Sequence, residues 1–136
     1  MPTISGATGT LVAVTFAEVL TDQATSSTSY TDLATAGPSV TVTVGGSGKV
    51  LVGFNSQFDL AGAGSLVSVV LSGANTVAAS DNWSLYDGGV TNGEAKGRTY
   101  VFTGLTAGST TFKMQYKSPG AGSAGFQRRS IWAIPL

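Results

Sequence analysis

The stretch SVTVTV at residues 39–44 alternates hydroxyl-bearing and branched apolar side chains with a period of two. Successive side chains of a β-strand point to opposite faces, so the three valines share one face and the serine and threonines share the other. Branched side chains also favour the strand conformation. The stretch therefore predicts a half-buried strand, with the valines against a core and the hydroxyl groups in water.

The same period recurs along most of the chain. It is clear at residues 110–117, where Phe112, Met114 and Tyr116 alternate with polar side chains. Further candidate strands cover residues 11–20, 49–58, 65–71, 76–80, 82–86, 98–103 and 126–134. Turn residues rich in glycine separate the strands, and no helical period survives between them. We therefore predict an all-β fold: an antiparallel, jelly-roll-like β-sandwich of about nine short strands.

The alternation also predicts which side chains face the core. The inward sets are Val12, Val14 and Phe16 in the strand over 11–20, and Val50, Val52, Phe54 and Phe58 in the strand over 49–58. The polar segment 21–29 is predicted to be a surface loop. Arg128 and Arg129 adjoin on the last strand and so point to opposite faces. One is expected in water, and the other is expected to bond at an interface or to a carboxylate such as Asp59 or Asp81.

Two predicted strands, 65–71 and 126–134, are apolar on both faces. A two-sheet sandwich buries only one face of each sheet, so the second face must meet either a loop or another subunit. Both possibilities stay open at this point. The candidate oligomer interface consists of Val67, Val69, Leu71, Ile131 and Trp132.

Composition removes several classes of function. The chain has no histidine and no cysteine, which excludes Ser-His-Asp and Cys-His catalysis and any Cys or His metal site. Seven basic residues balance seven acidic ones, so the charge excess typical of a nucleic-acid binder is absent. No apolar run approaches the length of a membrane helix. We expect a protein that is not an enzyme, with no cofactor, no metal, no nucleic-acid partner and no membrane partner.

The first nine residues are too poor in large apolar side chains to form a core of their own. Residues 1–9 contain two glycines, one proline and one large aliphatic residue, Ile4, and no secretory signal is readable there. We expect a flexible N-terminal arm over residues 1–9 and a single β-sandwich domain over residues 10–136.

The segment SDNWSLYDGG at 80–89 gathers aromatic, amide and carboxylate side chains. Sugar rings stack on aromatic faces and hydrogen-bond to neighbouring polar groups, so Trp83, Tyr86 and Asp87 are a candidate glycan platform. The plainer interpretation, which we favour, is a strand flanked by aspartate turns with its aromatics in the core or an interface.

Three segments carry a family resemblance: YTDLATAGPSVTVTVGGSGKVLV at 30–52, LSGANTVAASD at 71–81 and FQRRSIWAIPL at 126–136. With these, the chain resembles small β modules in virion proteins of phages that infect actinobacteria, over about 105 residues from Tyr30 to the end. Such modules form the distal domain of minor tail proteins or stand alone as particle proteins. The resemblance implies a structural role, often as a trimer, and supplies no catalytic residue.

Two hypotheses follow from the resemblance. The first is a capsid decoration protein: a homotrimer that is synthesised in the bacterial cytoplasm, binds the major capsid protein and is exposed on the virion surface. Its candidate docking arm includes Pro2, Thr3 and Ile4, and deletion of residues 2–9 is expected to weaken capsid binding while leaving the trimer folded. The second is a receptor- or carbohydrate-binding module of a tail protein, whose partners would be tail proteins or a cell-surface glycan.

Overall fold

The computed structural model describes residues 14–61, 64–88, 93–120 and 122–136, with the backbone alone at residues 60 and 61. The predicted arm, with Pro2, Thr3 and Ile4, lies outside these residues. The strands are β1 (Thr15–Val19), β2 (Gln23–Thr25), β3 (Ser39–Val44), β4 (Val50–Ala61), β5 (Ser65–Gly73), β6 (Leu85–Asp87), β7 (Glu94–Phe102), β8 (Gly108–Lys117) and β9 (Ala124–Pro135). A 3₁₀ turn spans Asp81–Trp83. The predicted all-β class and the number of strands are confirmed.

The strands form two antiparallel sheets. The five-stranded sheet has the order β1-β9-β4-β7, with β2 also paired to β9, and the four-stranded sheet has the order β3-β8-β5-β6. Most connections cross from one sheet to the other, while β1–β2 and β5–β6 stay within a sheet. This interleaved order is that of a jelly roll, in which two Greek keys are wrapped into two facing sheets.

The core lies between the sheets and is rich in aromatic rings. Phe126 packs against Phe58 with 5.8 Å between ring centroids and against Tyr116 with 4.8 Å. Val50, Val52, Phe54 and Phe58 all face this core, as the period of β4 predicted. In β9, Ile131 and Ala133 are buried while Trp132 and Ile134 lie on the opposite face, which is also the predicted alternation.

The inward face predicted for the first strand is wrong. Val14 is 55% exposed and Phe16 is 57% exposed, whereas Ala17 packs against the core. The register explains the difference: Ala17 lies opposite the buried Ile131, and Phe16 lies opposite Trp132 on the outer face. A shift of one residue exchanges the two faces of a strand, and β9 fixes that choice for β1. Val12 lies outside the described residues.

The region after β5 also differs from prediction. The strand expected over 76–80 is a single bridge between Val77 and Leu71, and the strand expected over 82–86 is the 3₁₀ turn followed by β6. Ser80 caps the turn, because its side chain accepts a hydrogen bond from the backbone N–H of Asn82. Serine and asparagine favour such local bonds over a sheet ladder. The surface loop predicted over 21–29 contains the short strand β2.

Candidate functional site

The structure separates the five candidate interface residues. Val67, Val69, Leu71 and Ile131 are at most 1% exposed and belong to the core between the sheets. These four are therefore packed inside one chain and are not placed on its surface. Trp132 alone lies on the outer face of the five-stranded sheet, where it is half-buried.

The outer face of the four-stranded sheet is covered in part by the chain's own segment 30–32. Thr31 pairs with Tyr116 at the edge of β8. This pairing brings Asp32 within 2.8 Å of the Lys113 Nζ atom and sets the Lys117 Nζ atom 4.6 Å from the centre of the Tyr30 ring. On β5, the strand for which a second covered face was predicted, the Ser68 hydroxyl donates to the Ser80 carbonyl at 2.7 Å, so a later segment of the same chain covers part of this face.

The outer face of the five-stranded sheet has no such cover among the described residues. Val14, Phe16, Trp132 and Ile134 line an open apolar hollow of about 310 Å³, and we call these four residues the outer patch. Val101 on β7, 41% exposed, lies on the same face at the far side of β4. Exposed apolar residues gathered on one face mark an interaction surface more often than single exposed residues do.

Trp132 reaches from β9 across to β4. A β-carbon built on Gly53, its partner in the sheet, would lie only 2.1 to 2.4 Å from the Trp132 indole atoms Cε2, Cζ2 and Nε1. The indole thus occupies the space that any side chain at position 53 would need, and it lies low across the sheet. Glycine is required at position 53 for this close approach.

A shallow trough continues from Trp132 along β4 and β7. Its first part, about 290 Å³, is lined on its outer side by Gly53, Asn55, Gly97, Thr99 and Trp132. An adjoining part of about 520 Å³ shares Asn55 and Gly97 and continues to Gln57, Ala95 and Arg128. We call this trough the outer groove. The small residues Gly53, Ala95 and Gly97 form the bottom of the groove, and the larger side chains of Trp132 and Arg128 lie at its two ends.

Arg128 owes its position to an irregularity in β9. The register between β4 and β9 shifts between Asn55 and Gln57, and Arg128 has a φ of +47°. A positive φ is uncommon for a residue other than glycine, and a bulge of this kind redirects a side chain. The Arg128 Nη1 atom donates to Gln57 Oε1 at 2.7 Å, and Gln57 Nε2 in turn donates to the Gly93 carbonyl at 2.7 Å.

Arg129 is fully buried, whereas Arg128 is exposed, so the two arginines lie on opposite faces, as predicted. Its guanidinium donates to Gln23 Oε1 at 2.9 Å and to the Gly37 carbonyl at 3.3 Å, and it lies 5.2 Å from the centre of the Tyr116 ring. The acceptors of these bonds are an amide oxygen and a backbone carbonyl, whereas the sequence predicted an interface or a carboxylate such as that of Asp59 or Asp81. Arg129 therefore ties β9 to segments distant in the sequence.

The candidate glycan platform of Trp83, Tyr86 and Asp87 is not brought onto one surface. Trp83 packs against Tyr100 and Phe102, and its indole N–H donates to the Val69 carbonyl at 2.9 Å. Tyr86 is 58% exposed, whereas Asp87 is 2% exposed and lies 3.4 Å from the Lys96 Nζ atom. The Trp83 indole is thus engaged in packing, in agreement with the plainer interpretation of its role.

The lysines on the outer face of the four-stranded sheet form ion pairs with nearby aspartates. Hydrogen bonds from Lys117 and Tyr30 hold the pKa of Asp81 below its usual range. Partial burial alone would raise the pKa of Asp32, but hydrogen bonds from Lys113 and Gln115 outweigh it and lower that pKa. Burial, together with the bond to Asp81, raises the pKa of Tyr30.

The pKa of one carboxyl group, that of Asp22, is shifted in the opposite direction. Partial burial, with a hydrogen bond between the carboxyl groups of Asp22 and Asp59, raises the pKa of Asp22. Within the described ranges, no group of three or more acidic side chains is arranged to hold a metal ion. No helix in the same ranges is long and apolar enough to cross a membrane.

Two sequence comparisons were made with known proteins, and neither found a match. No protein-family model matches the chain, and no curated protein is significantly similar to it. The class of protein is therefore described by its fold and its surface. It is an all-β jelly-roll sandwich, with a polar outer face on one sheet and an apolar patch beside a groove on the other.

Proposed function

We propose that this protein is a structural protein of a phage virion, namely a capsid decoration protein that assembles as a homotrimer on the outer surface of the particle. The observation that carries the proposal is the outer patch. A monomer in water gains nothing from presenting Val14 and Phe16, each more than half exposed, beside Trp132 on one sheet. A neighbouring subunit would remove this surface from water.

The fold is compatible with this role. Viral capsid proteins and lectins are among the proteins that use jelly rolls, because two packed sheets give a rigid body with short edges. The resemblance of segments 30–52, 71–81 and 126–136 to phage virion modules favours the viral use. The absence of histidine and cysteine from the sequence also agrees with a structural role.

The proposal assigns the two outer faces different tasks. The outer patch would contact a neighbouring copy of the chain, and the four-stranded sheet would face water with its lysine and aspartate pairs. In this arrangement the major capsid protein is the second partner.

The test compares phage particles made with and without the protein by electron microscopy. A decoration protein gives regularly spaced density at many copies on the capsid, and purified protein added to undecorated particles restores it. The Phe16→Asp variant should fail to restore the density, while Lys113→Glu, on the outer face of the other sheet, should succeed. Density confined to the tail, or equal restoration by both variants, would contradict the proposal.

A further inference from the structure

The outer groove combines an aromatic wall with polar groups that the fold leaves unused. From these features we propose that the groove binds an acidic oligosaccharide, with a sugar ring against Trp132 and a sugar carboxylate at Arg128. Trp132 lies between the groove and the proposed assembly contact: the other residues of the outer patch lie at β1 and β9, and the groove extends from Trp132 in the other direction, along β4 and β7.

The aromatic end is fixed in position. Trp132 lies over Gly53, with no β-carbon to lift it from the sheet. Its indole N–H has no hydrogen-bond partner among the described residues, in contrast to that of Trp83, which donates to Val69. An aromatic ring with one apolar face and a polar edge suits a sugar, which has both C–H faces and hydroxyl groups.

The middle of the groove supplies an oriented donor. The Ser130 hydroxyl donates to Asn55 Oδ1 at 2.6 Å, which fixes the direction of the Asn55 amide. The Asn55 Nδ2 group then has two N–H donors, and neither has a partner in the described part of the chain. Thr99, exposed on the neighbouring strand, adds a hydroxyl on the far side of Gly53.

The far end supplies a positive charge. The guanidinium of Arg128 is held by Gln57 through one nitrogen, and among the described residues its other N–H donors have no hydrogen-bond partner. Of the cations along the groove, Lys96 is paired with Asp87 and Arg98 donates to the carbonyls of Ser84 and Asn82. Arg128 forms no ion pair with any residue that the structure describes.

The charged residues along the groove indicate which kind of sugar would bind there. No acidic residue lines either part of the groove within the described ranges, and Glu94, next to Ala95, is held within 4.0 Å of Lys96. Donors therefore outnumber acceptors, and the ligand that complements them must be rich in acceptors. A uronic acid brings a carboxylate, and the guanidinium of arginine matches a carboxylate with two parallel hydrogen bonds.

The length of the groove agrees with an oligosaccharide. Gly53 and Gln57 are four residues apart on β4, a span of roughly 13 Å along a strand. Two or more linked sugar rings are needed to contact Trp132 and Arg128 together. The positive φ of Arg128, a strained conformation, occurs where the groove needs its cation, and such strain is concentrated at functional sites.

The experiment is a titration of the full-length ¹⁵N-labelled protein with trigalacturonic acid, followed by nuclear magnetic resonance. The indole N–H signal of Trp132 reports on the groove, and that of Trp83 serves as an internal control. The Trp132 signal should shift with sugar concentration, and the Trp83 signal, from an indole bonded in the core, should stay in place. The neutral trisaccharide galactotriose should bind at least about tenfold more weakly, because it lacks the charged partner of Arg128.

Variants test the two ends separately. Arg128→Asn, which tolerates a positive φ, should weaken trigalacturonic acid binding at least about tenfold, and Lys113→Gln should leave it within about twofold. Trp132→Ala should abolish binding, with the folded state checked by the unchanged Trp83 signal. No shift of Trp132 with either sugar, equal binding of both sugars, or equal effects of Arg128→Asn and Lys113→Gln would overturn the proposal.

Discussion

The two outer faces of the sandwich are built from strands of the same period but end in opposite surfaces. On the four-stranded sheet, Asp32 bonds Lys113 and Asp81 bonds Lys117, each within 2.8 Å. On the five-stranded sheet, Phe16 and Trp132 are paired across β1 and β9 and both lie on the outer face. The first face satisfies its own polar groups and is suited to water. The second leaves apolar surface and unused donors, and is suited to partners.

The strongest way to test this contrast is to put the same charge on the two faces of one strand. Ile131 and Ile134 are the same residue type on β9, but Ile131 is fully buried and Ile134 lies in the outer patch. Ile131→Asp should prevent folding, because burying an unpaired carboxylate costs several kcal/mol against a total stability of about 5 to 15 kcal/mol.

Ile134→Asp is the matched control and should keep the folded sheet spectrum. Circular dichroism and urea unfolding make the comparison. If both variants fold equally well, the assignment of the two faces of β9 is incorrect.

A smaller effect is expected where Trp132 crosses Gly53. Gly53→Ala forces the indole to move, because its new β-carbon would lie 2.1 Å from Cε2, and overpacking of this kind costs about 1 to 3 kcal/mol. Gly97→Ala, on the neighbouring strand of the same face, meets its nearest atom at 3.5 Å and should change stability by less than about 0.5 kcal/mol.

The midpoint of urea unfolding measures both glycine variants. Equal midpoints for Gly53→Ala and Gly97→Ala would show that Trp132 does not occupy the space above Gly53.

The smallest effect concerns the polar face and depends on pH. The folded pKa of Asp32 is lowered, so its bonds to Lys113 and Gln115 add stability above the unfolded carboxyl pKa, near 3.9. That stability is lost as the pH falls through the lower folded value. Asp32→Asn should cost less than about 1 kcal/mol at pH 7, since the pair is partly exposed, and nothing once the pH is below the folded pKa of Asp32.

A double-mutant cycle with Lys113→Gln, measured by thermal unfolding at several pH values, isolates the Asp32–Lys113 pair. A cost of Asp32→Asn that grows toward acid pH would have the wrong sign for this account.

The sequence predicted the strands better than the faces they present. The alternation at 39–44 gave β3 with both ends correct, because valine and threonine differ strongly in polarity. In β1 and β9 both faces carry apolar residues, so alternation alone could not tell Phe16 from Ala17. That choice depends on the register with a strand more than 100 residues away in the sequence.

The candidate site was harder still to predict. The outer groove depends on Gly53 and Trp132, which are neighbours only through the pairing of β4 with β9. The available signal was a glycine within the apolar run VLVGF at 50–54, since a glycine inside a strand often marks a close approach. The segment 80–89 looked like a sugar platform because its aromatics are close in sequence, but β6 and the 3₁₀ turn send Trp83 toward the core.

The central claim is that the outer patch is covered by other copies of the chain. Multi-angle light scattering at micromolar concentration tests it most directly, with wild type, Phe16→Asp and Lys113→Glu compared side by side. The account predicts three times the chain mass for wild type and Lys113→Glu, and a folded monomer for Phe16→Asp. A wild-type protein that remains a monomer, or a Phe16→Asp variant that remains a trimer, would contradict it.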